Sequence, residues 1–385
     1  MRVGTPGFVA QRLTEAREAR GLAQTALSEL TGIKSQSISH YEQGRQSPSP
    51  EALILLCEKL DVPERYFLHP LPDHSMRGIF FRSLRPQTKA ARIKAERRIG
   101  WIKEIVAYLR RHIELPDPAI PNHPVAATAH NSGAEIESIA EACREQFHLG
   151  YGPVAGMVVL AENLGCIVSR GSFDCDAESA CSHWDSGGER VKDTPYMLLP
   201  VVGGVSQTRF DVAHELGHLV MHRGLEPENA DPEKHKILEQ QADRFARAFL
   251  LPARMFGREV WAPTVDALVS LRKQWNCPLS AMIARCGEIG VFSADQARRA
   301  TANLARRGWK AGEPAEEPVP AETPQLLAGC IRLLIEGGVK DRHTLLTDLS
   351  LNPGDIEHLT GLPNHYLSES DRMRPASPRL RDTTV

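Results

Sequence analysis

Short helical runs of apolar residues, each closed by glycine or proline, fill the first 70 positions of the chain. Residues 8–20 read as a helix that Gly21-Leu22 breaks, and residues 24–30 as a second that Gly32 breaks. A third covers residues 34–42, with Gly44 as its C-terminal cap, and Pro48 and Pro50 lead into a fourth over 51–60. Glycine-broken helix pairs of this length predict a helix-turn-helix arrangement. Farther on, Ile99, Ile102, Val106, Leu109 and Ile113 share one face of an amphipathic helix, which Pro116, Pro118, Pro121 and Pro124 terminate. Helices over 136–147 and 157–164 precede a short strand at 166–169. Residues 196–201 read as a second strand ending near Gly203-Gly204. Leu238, Ala242, Phe245 and Phe249, at spacings of four, three and four, mark a helix over 235–251 that Pro252 stops. Residues 264–308 are helical, 325–367 form a further small helical unit, and the tail after Ser368 reads as disordered.

The chemistry concentrates between these helical runs, at Asp211-Val212-Ala213-His214-Glu215-Leu216-Gly217-His218. A helix turns about 100° per residue, so His214 and His218 lie one above the other with Glu215 on their flank. Val212, Leu216, Leu219 and Val220 fall on the other side, toward a core. Two imidazoles at this spacing beside a carboxylate are the minimal device for holding zinc next to a general base. A catalytic zinc needs a third protein ligand and an open fourth position. Glu239, on the following helix, can complete a His-His-Glu set, and Asp243, one turn later, can accept a hydrogen bond from a ligating imidazole. A second group that stabilises a tetrahedral intermediate is sought among Arg209, Tyr196 and His222, which the sequence does not rank.

These residues, with Thr208-Arg209-Phe210 before the motif and Glu239-Gln240-Gln241-Ala242-Asp243-Arg244-Phe245-Ala246 and Phe249-Leu250-Leu251-Pro252 after it, resemble the ImmA/IrrE family of metallopeptidases. So does the approach segment Gly152-Pro153 and Leu160-Ala161-Glu162-Asn163-Leu164-Gly165. The resemblance implies a gluzincin-type fold, in which residues 196–201 would be an edge strand that pairs with an extended substrate, and one Zn2+ per chain on His214, His218 and Glu239. It implies Glu215 as general base and Asp243 as support behind the ligands. A metzincin is disfavoured, because Met221 and Gly224 stand where that motif needs glycine and histidine.

The third N-terminal helix offers Lys34, Ser35, Gln36, Ser37, Ser39 and His40 around an apolar anchor, Ile38, a set suited to base edges and phosphates. The pattern Gly21-Leu22, Gln24, Leu27, Gly32-Ile33, Ser37-Ile38-Ser39, Tyr41-Glu42-Gln43-Gly44 and Pro48 is similar to the XRE (Cro-like) helix-turn-helix family. That resemblance implies DNA contacts by Gln24, by residues 34–40 and by Arg45. It also implies a structural pair between Arg17 and Glu42. Ala23 and Ser28 depart from the family's usual threonine and alanine, which weakens the second helix slightly.

Charge and composition refine the picture. Residues 1–70 hold eight Lys/Arg and eight Asp/Glu, so the module brings no net positive field to DNA. Residues 77–111 partly offset this, with eleven Lys/Arg against Glu96 and Glu104, as a basic face that is either solvated or turned to the DNA backbone. The chain of 385 residues has a net charge of −2, no signal-like segment and no apolar run of membrane-spanning length. Its eight cysteines show no CxxC spacing and read as reduced thiols; ligation by Cys175 or Cys181 is a minor alternative.

The expected fold is therefore multidomain and mainly α. A five-helix helix-turn-helix domain (7–70) and a basic helical linker (77–115) lead to an α+β zincin-like peptidase domain with a small sheet (130–258). A helical extension (259–310) and a C-terminal helical unit (325–367) follow. The expected function is a DNA-binding transcriptional regulator with a zinc endopeptidase that cuts a repressor or other regulatory protein. Its partners are double-stranded operator DNA and that protein substrate, with no membrane, as a possible homodimer in the bacterial or phage-type cytoplasm near the nucleoid. The alternatives are a regulator whose zincin-like domain senses a ligand or metal without cutting, and an antitoxin that binds its toxin directly.

Overall fold

The computed structural model describes residues 4–72, 79–81, 89–126, 128, 133–171, 180–185, 193–201, 204–225, 232–309 and 322–368. Cys175, Gly203, residues 310–321 and the tail after Ser368 lie outside the described residues.

The N-terminal module is built from α1 (Ala10–Ala19), α2 (Gln24–Thr31), α3 (Ser35–Glu42) and α4 (Pro50–Leu60), closed by a 3-10 turn over Glu64–Leu68. Gly32 ends α2 with φ 71°, a left-handed cap whose N–H reaches Ser28 O. Ser49 starts α4 by accepting from Ala52 N at 3.3 Å, with Pro50 in the first turn. Leu13, Leu27, Ile38 and Leu56 are wholly buried between these helices.

Strand β1 (Phe80–Phe81) and the long helix α5 (Lys89–Leu109) follow. Next come α6 (Gly133–Gln146), α7 (Met157–Asn163), β2 (Ile167–Gly171), β3 (Cys181–Asp185), β4 (Thr194–Pro200), α8 (Val205–Met221) and α9 (Pro232–Leu250). Helices α10 (Ala253–Glu259), α11 (Val265–Trp275), α12 (Leu279–Glu288) and α13 (Ala294–Arg306) pack in the same core as α8 and α9. The last unit holds α14 (Leu326–Glu336), α15 (Arg342–Leu349) and α16 (Pro353–Thr360).

The sheet has the order β1-β3-β4-β2, with β2 parallel to β4 and the other pairs antiparallel. This corrects the expectation that residues 196–201 form an edge strand. β4 is buried along its whole length between β2 and β3, as its unbroken apolar run Tyr196-Met197-Leu198-Leu199 requires. β1 is the outermost strand on that side, and it lies along β3 with Phe80 opposite Ser182 and Phe81 opposite Cys181.

Side chains alternate across the sheet. Val168, Met197 and Leu199 join the core beneath α8 and α9. Ile167, Cys181, Tyr196 and Leu198 join a second core made by the N-terminal module, α5 and the C-terminal unit. Helix α5 is buried nearly all round, with Trp101 and Ile105 wholly enclosed, so it is a central element rather than an exposed basic linker. Two of its cations are paired across the protein, and Arg110 just past its end is held too. Arg97 pairs with Glu18 at 2.8 Å, Lys103 with Asp185 at 2.9 Å, and Arg110 donates to Thr194 at 2.6 Å. Arg12 of α1 makes a two-pronged bond to Glu104 of α5 at 2.7 and 2.9 Å, and Arg20 does the same to Asp355 of α16 at 2.7 and 2.6 Å.

Candidate metal centre and DNA-reading face

Helix α8 is buried at all but one of its positions, so every polar group on it needs an internal partner. His214 Nδ1 lies 2.9 Å from Asp243 Oδ1 on α9. A carboxylate only accepts, so His214 carries its proton on Nδ1 and leaves Nε2 as a lone pair. His218 is fixed by a longer relay. Gln241 Nε2 donates to Ala126 O at 3.0 Å, which turns Gln241 Oε1 toward His222 Nε2 at 2.9 Å. His222 therefore donates from Nε2 and accepts at Nδ1 from His218 Nδ1, 2.9 Å away. His218 Nε2 is left as a lone pair too.

The two Nε2 atoms stand 3.1 Å apart. Glu239 of α9 brings its carboxylate to 3.4 Å from His214 Nε2 and 3.2 Å from His218 Nε2. Three acceptors thus converge with no donor among them, an arrangement that repels itself unless a cation sits between. Tetrahedral zinc with bonds of about 2.0–2.1 Å sets its ligand atoms about 3.3 Å apart, and the three observed separations bracket that value. Among the described residues, His214, His218 and Glu239 are a group able to hold a metal ion.

Glu215 is 0% exposed, and neither of its carboxylate oxygens has a hydrogen-bond partner. Burial raises its pKa above the ordinary carboxylate range, against the opposing pull of His214 and His218. The Ser182 hydroxyl on β3 is close enough to oppose that rise. A buried, unpartnered carboxylate flanking a lone-pair cluster is a proton acceptor awaiting a donor.

Three sequence candidates occupy other roles. Tyr196 points to the α5 side of the sheet, where Lys103 Nζ lies 5.8 Å from its ring centroid, because strand alternation turns it away from α8. Arg209, 2% exposed, is spent on Ala155 O, Val154 O and Glu322. His222 sits behind His218 as the relay described above, its pKa lowered to about 3, first by burial and then by His218. Cys181 faces the α5 core, away from the three ligand atoms. Four residues at the centre escaped the sequence reading: Ser182, Gln241, Gly217 and Phe80. Gln241 had a signal, since it interrupts the apolar stripe Leu238, Ala242, Phe245 with an amide. Gly217 lets α9 approach, because a Cβ there would meet Phe245 Cδ1 at 3.0 Å.

In the N-terminal module, Arg17 Nε donates to Glu42 Oε1 at 2.6 Å and Arg17 Nη2 to Glu42 Oε2 at 3.1 Å. Gln24 Nε2 donates to the same carboxylate at 2.7 Å, so Glu42 ties α1, α2 and α3 together. Ile38 pins α3 from beneath. Lys34, Gln36 and Arg45 are exposed, and Ser35, Ser37, Ser39 and His40 are half-exposed along the same helix. The outer side of α3 is thus a run of short polar groups with cations at either end, fit for a groove floor and its phosphates.

Comparison with known proteins agrees with both regions. Residues 13–67 match the helix-turn-helix family, and residues 178–286 match the M78 peptidase family, described as the IrrE N-terminal-like domain. A stretch of 66 residues is 29% identical to y4aM of Sinorhizobium fredii, described as an uncharacterized HTH-type transcriptional regulator. That match covers 17% of this chain and 46% of the relative. No described helix is long and apolar enough to cross a membrane. Mainly α, with a small sheet beside the candidate metal centre among the described residues, the chain joins an XRE-type helix-turn-helix domain to an ImmA/IrrE-like domain of the M78 peptidase family.

Proposed function

We propose that this protein is a transcriptional regulator that reads operator DNA through α3 and carries a zinc-dependent endopeptidase acting on a repressor or another regulatory protein. One observation carries the reading: three lone-pair ligands converge beside a buried carboxylate that has no partner. His214, His218 and Glu239 are the proposed ligands of one Zn2+, and Asp243 and the His222–Gln241 relay orient the imidazoles. When bound, zinc supplies Lewis-acid polarisation of the peptide carbonyl and acidifies water in the open position. Glu215 takes the proton of the attacking water and returns it to the leaving amine. Burial raises its pKa, which makes it a stronger proton acceptor.

Gln24, Lys34, Ser35, Gln36, Ser37, Ser39, His40 and Arg45 are the proposed DNA contacts. Two copies of the chain would match a symmetric operator. The proposed setting is the bacterial or phage-type cytoplasm at the nucleoid, where tethering to DNA raises the peptidase's concentration near DNA-bound substrates. The test combines metal analysis of the purified protein with incubation against the products of neighbouring genes. Glu215→Gln should keep about one zinc per chain and full operator binding while cleavage disappears. Regulation that persists unchanged in that variant would rule out proteolysis as the output.

A further inference from the structure

The metal centre is shut. His214 and His218 are each 1% exposed and Glu215 is 0% exposed, so no peptide reaches them in this arrangement. What covers them is part of the chain itself. β1 lies antiparallel on β3, and Phe80, opposite Ser182, projects to the face of the sheet that carries the centre. Its ring stacks on the imidazole of His218 at 4.6 Å between centroids and lies 5.8 Å from that of His222. Phe80 is 5% exposed and Ile79, turned the other way into the α5 core, is 1% exposed. A strand paired to the edge beside a zincin-type helix, with a side chain held over a ligand imidazole, stands where a peptide substrate would stand.

We propose that Ile79–Phe81 is a resident pseudosubstrate, and that the β3 edge is the docking surface for an extended protein segment that presents an aromatic residue over His218. The inference rests on the peptidase reading of the centre. Backbone pairing with β3 supplies affinity, and the slot beneath Phe80 supplies selectivity for a large apolar ring. The resident strand has only two paired residues, so its hold depends on being tethered, at an effective concentration of roughly millimolar. A true substrate must displace it. The chain is therefore latent until a longer or better-matched segment takes the edge.

Two changes to the full-length chain test this in the Glu215→Gln background, where binding is read without hydrolysis. The probe is a fluorescent peptide carrying the sequence of residues 76–84, followed by anisotropy with and without added zinc. Phe80→Ala in the protein should raise peptide affinity at least tenfold and speed removal of zinc by a chelator by a similar factor. The same peptide with alanine at its Phe80 position should not bind. A second variant, Phe81→Cys, stands opposite Cys181 in the antiparallel register, a spacing that suits a disulfide. Oxidation with diamide should then lock the strand and abolish peptide binding, and dithiothreitol should restore it. Equal peptide affinity for the parent, Phe80→Ala and cross-linked chains, all folded by circular dichroism, would overturn the proposal. The expected binding pattern, with every neighbouring-gene product left uncut by the chain with Glu215 intact, would instead remove the peptidase reading and leave the docking surface standing.

Discussion

Replacing Gly217 with alanine probes how the centre is assembled, because this glycine lies between His214 and His218 on α8 and faces Phe245 of α9. A Cβ at 217 would meet Phe245 Cδ1 at 3.0 Å and its Cβ and Cγ at 3.3 Å. Carbon contacts are comfortable from about 3.5 Å, so α9 must retreat by roughly 0.5 Å at that point. Phe245 has no room to rotate away, being 0% exposed and stacked on Phe249 at 5.5 Å between centroids. Overpacking of this kind costs about 1–3 kcal/mol, and alanine recovers about 0.8–1.0 kcal/mol of helix propensity over glycine. The fold should therefore lose only about 0–2 kcal/mol. The ligand set suffers more, because Glu239 rides on α9 and metal–ligand distances tolerate only about 0.2 Å. Zinc affinity should fall by about tenfold, or about 1.4 kcal/mol, in a chelator-competition titration. Urea unfolding of the metal-free protein gives the stability term separately. Adding Phe245→Leu should return part of the lost affinity, as coupling between touching residues requires. A folded Gly217→Ala protein with the zinc affinity of the parent would refute the claim that this close approach positions Glu239.

Asp243→Ala should lower zinc affinity by about 10–100-fold, since His214 loses the acceptor that fixes its tautomer; Asp243→Asn should lose less, and equal losses in calorimetry would argue against an orienting role. Asp185→Asn removes the ion pair between Asp185 and the 2% exposed Lys103 and should cost about 2–3 kcal/mol, discounted for the partial exposure of Asp185. Burial pushes the Asp185 carboxyl up, but His183 and Lys103 overcome that and bring it to about 2, below its ordinary 3.8. Its stabilisation is therefore complete above pH 3.8 and disappears as pH falls through about 2, so parent and variant should converge in acid melts; a gap that stays constant to pH 2 would contradict this. Glu42→Ala releases Arg17 and Gln24 together and should weaken operator binding at least tenfold while zinc binding is untouched, an outcome that mobility-shift and chelator assays read independently.

Much of this was legible in the residues because it is local. Helical periodicity and glycine or proline stops marked the N-terminal helices and α8 and α9, and the one-turn spacing of His214 and His218, and of Glu239 and Asp243, needs only helix geometry. What escaped was non-local. β3 carries Ser182, His183 and Asp185, polar types that read as loop, and becomes a strand because α5 supplies Lys103 on one side and α8 lies on the other. The position of β4 depended on pairing order, which an apolar run of four residues hints at without deciding. Tyr196 and Arg209 were plausible electrophiles by chemistry alone. Strand alternation turned the first away, and the loop at Val154–Ala155 with Glu322 captured the second. The basic run around α5 looked like a solvated face because its counter-charges, Glu18 and Asp185, lie far from it along the chain.

That run matters for how the two halves meet. β3 presents Ser182 to Glu215 on one face of the sheet and His183 and Asp185 to Lys103 on the other, with Lys103 Nζ at 3.0 Å from His183 Nε2. Lys103 lies one residue before Glu104, which holds Arg12 of the DNA-reading module. Displacing β3 relative to α5 would strand a buried ammonium, and displacing α1 would strand a buried guanidinium. Each carries the penalty of an uncompensated interior charge. The strand on whose edge Ile79–Phe81 rests is thus held to the same frame as the recognition helix. Freeing the metal centre then falls to the two-residue strand β1, the most weakly paired element of the sheet, rather than to a movement of the frame.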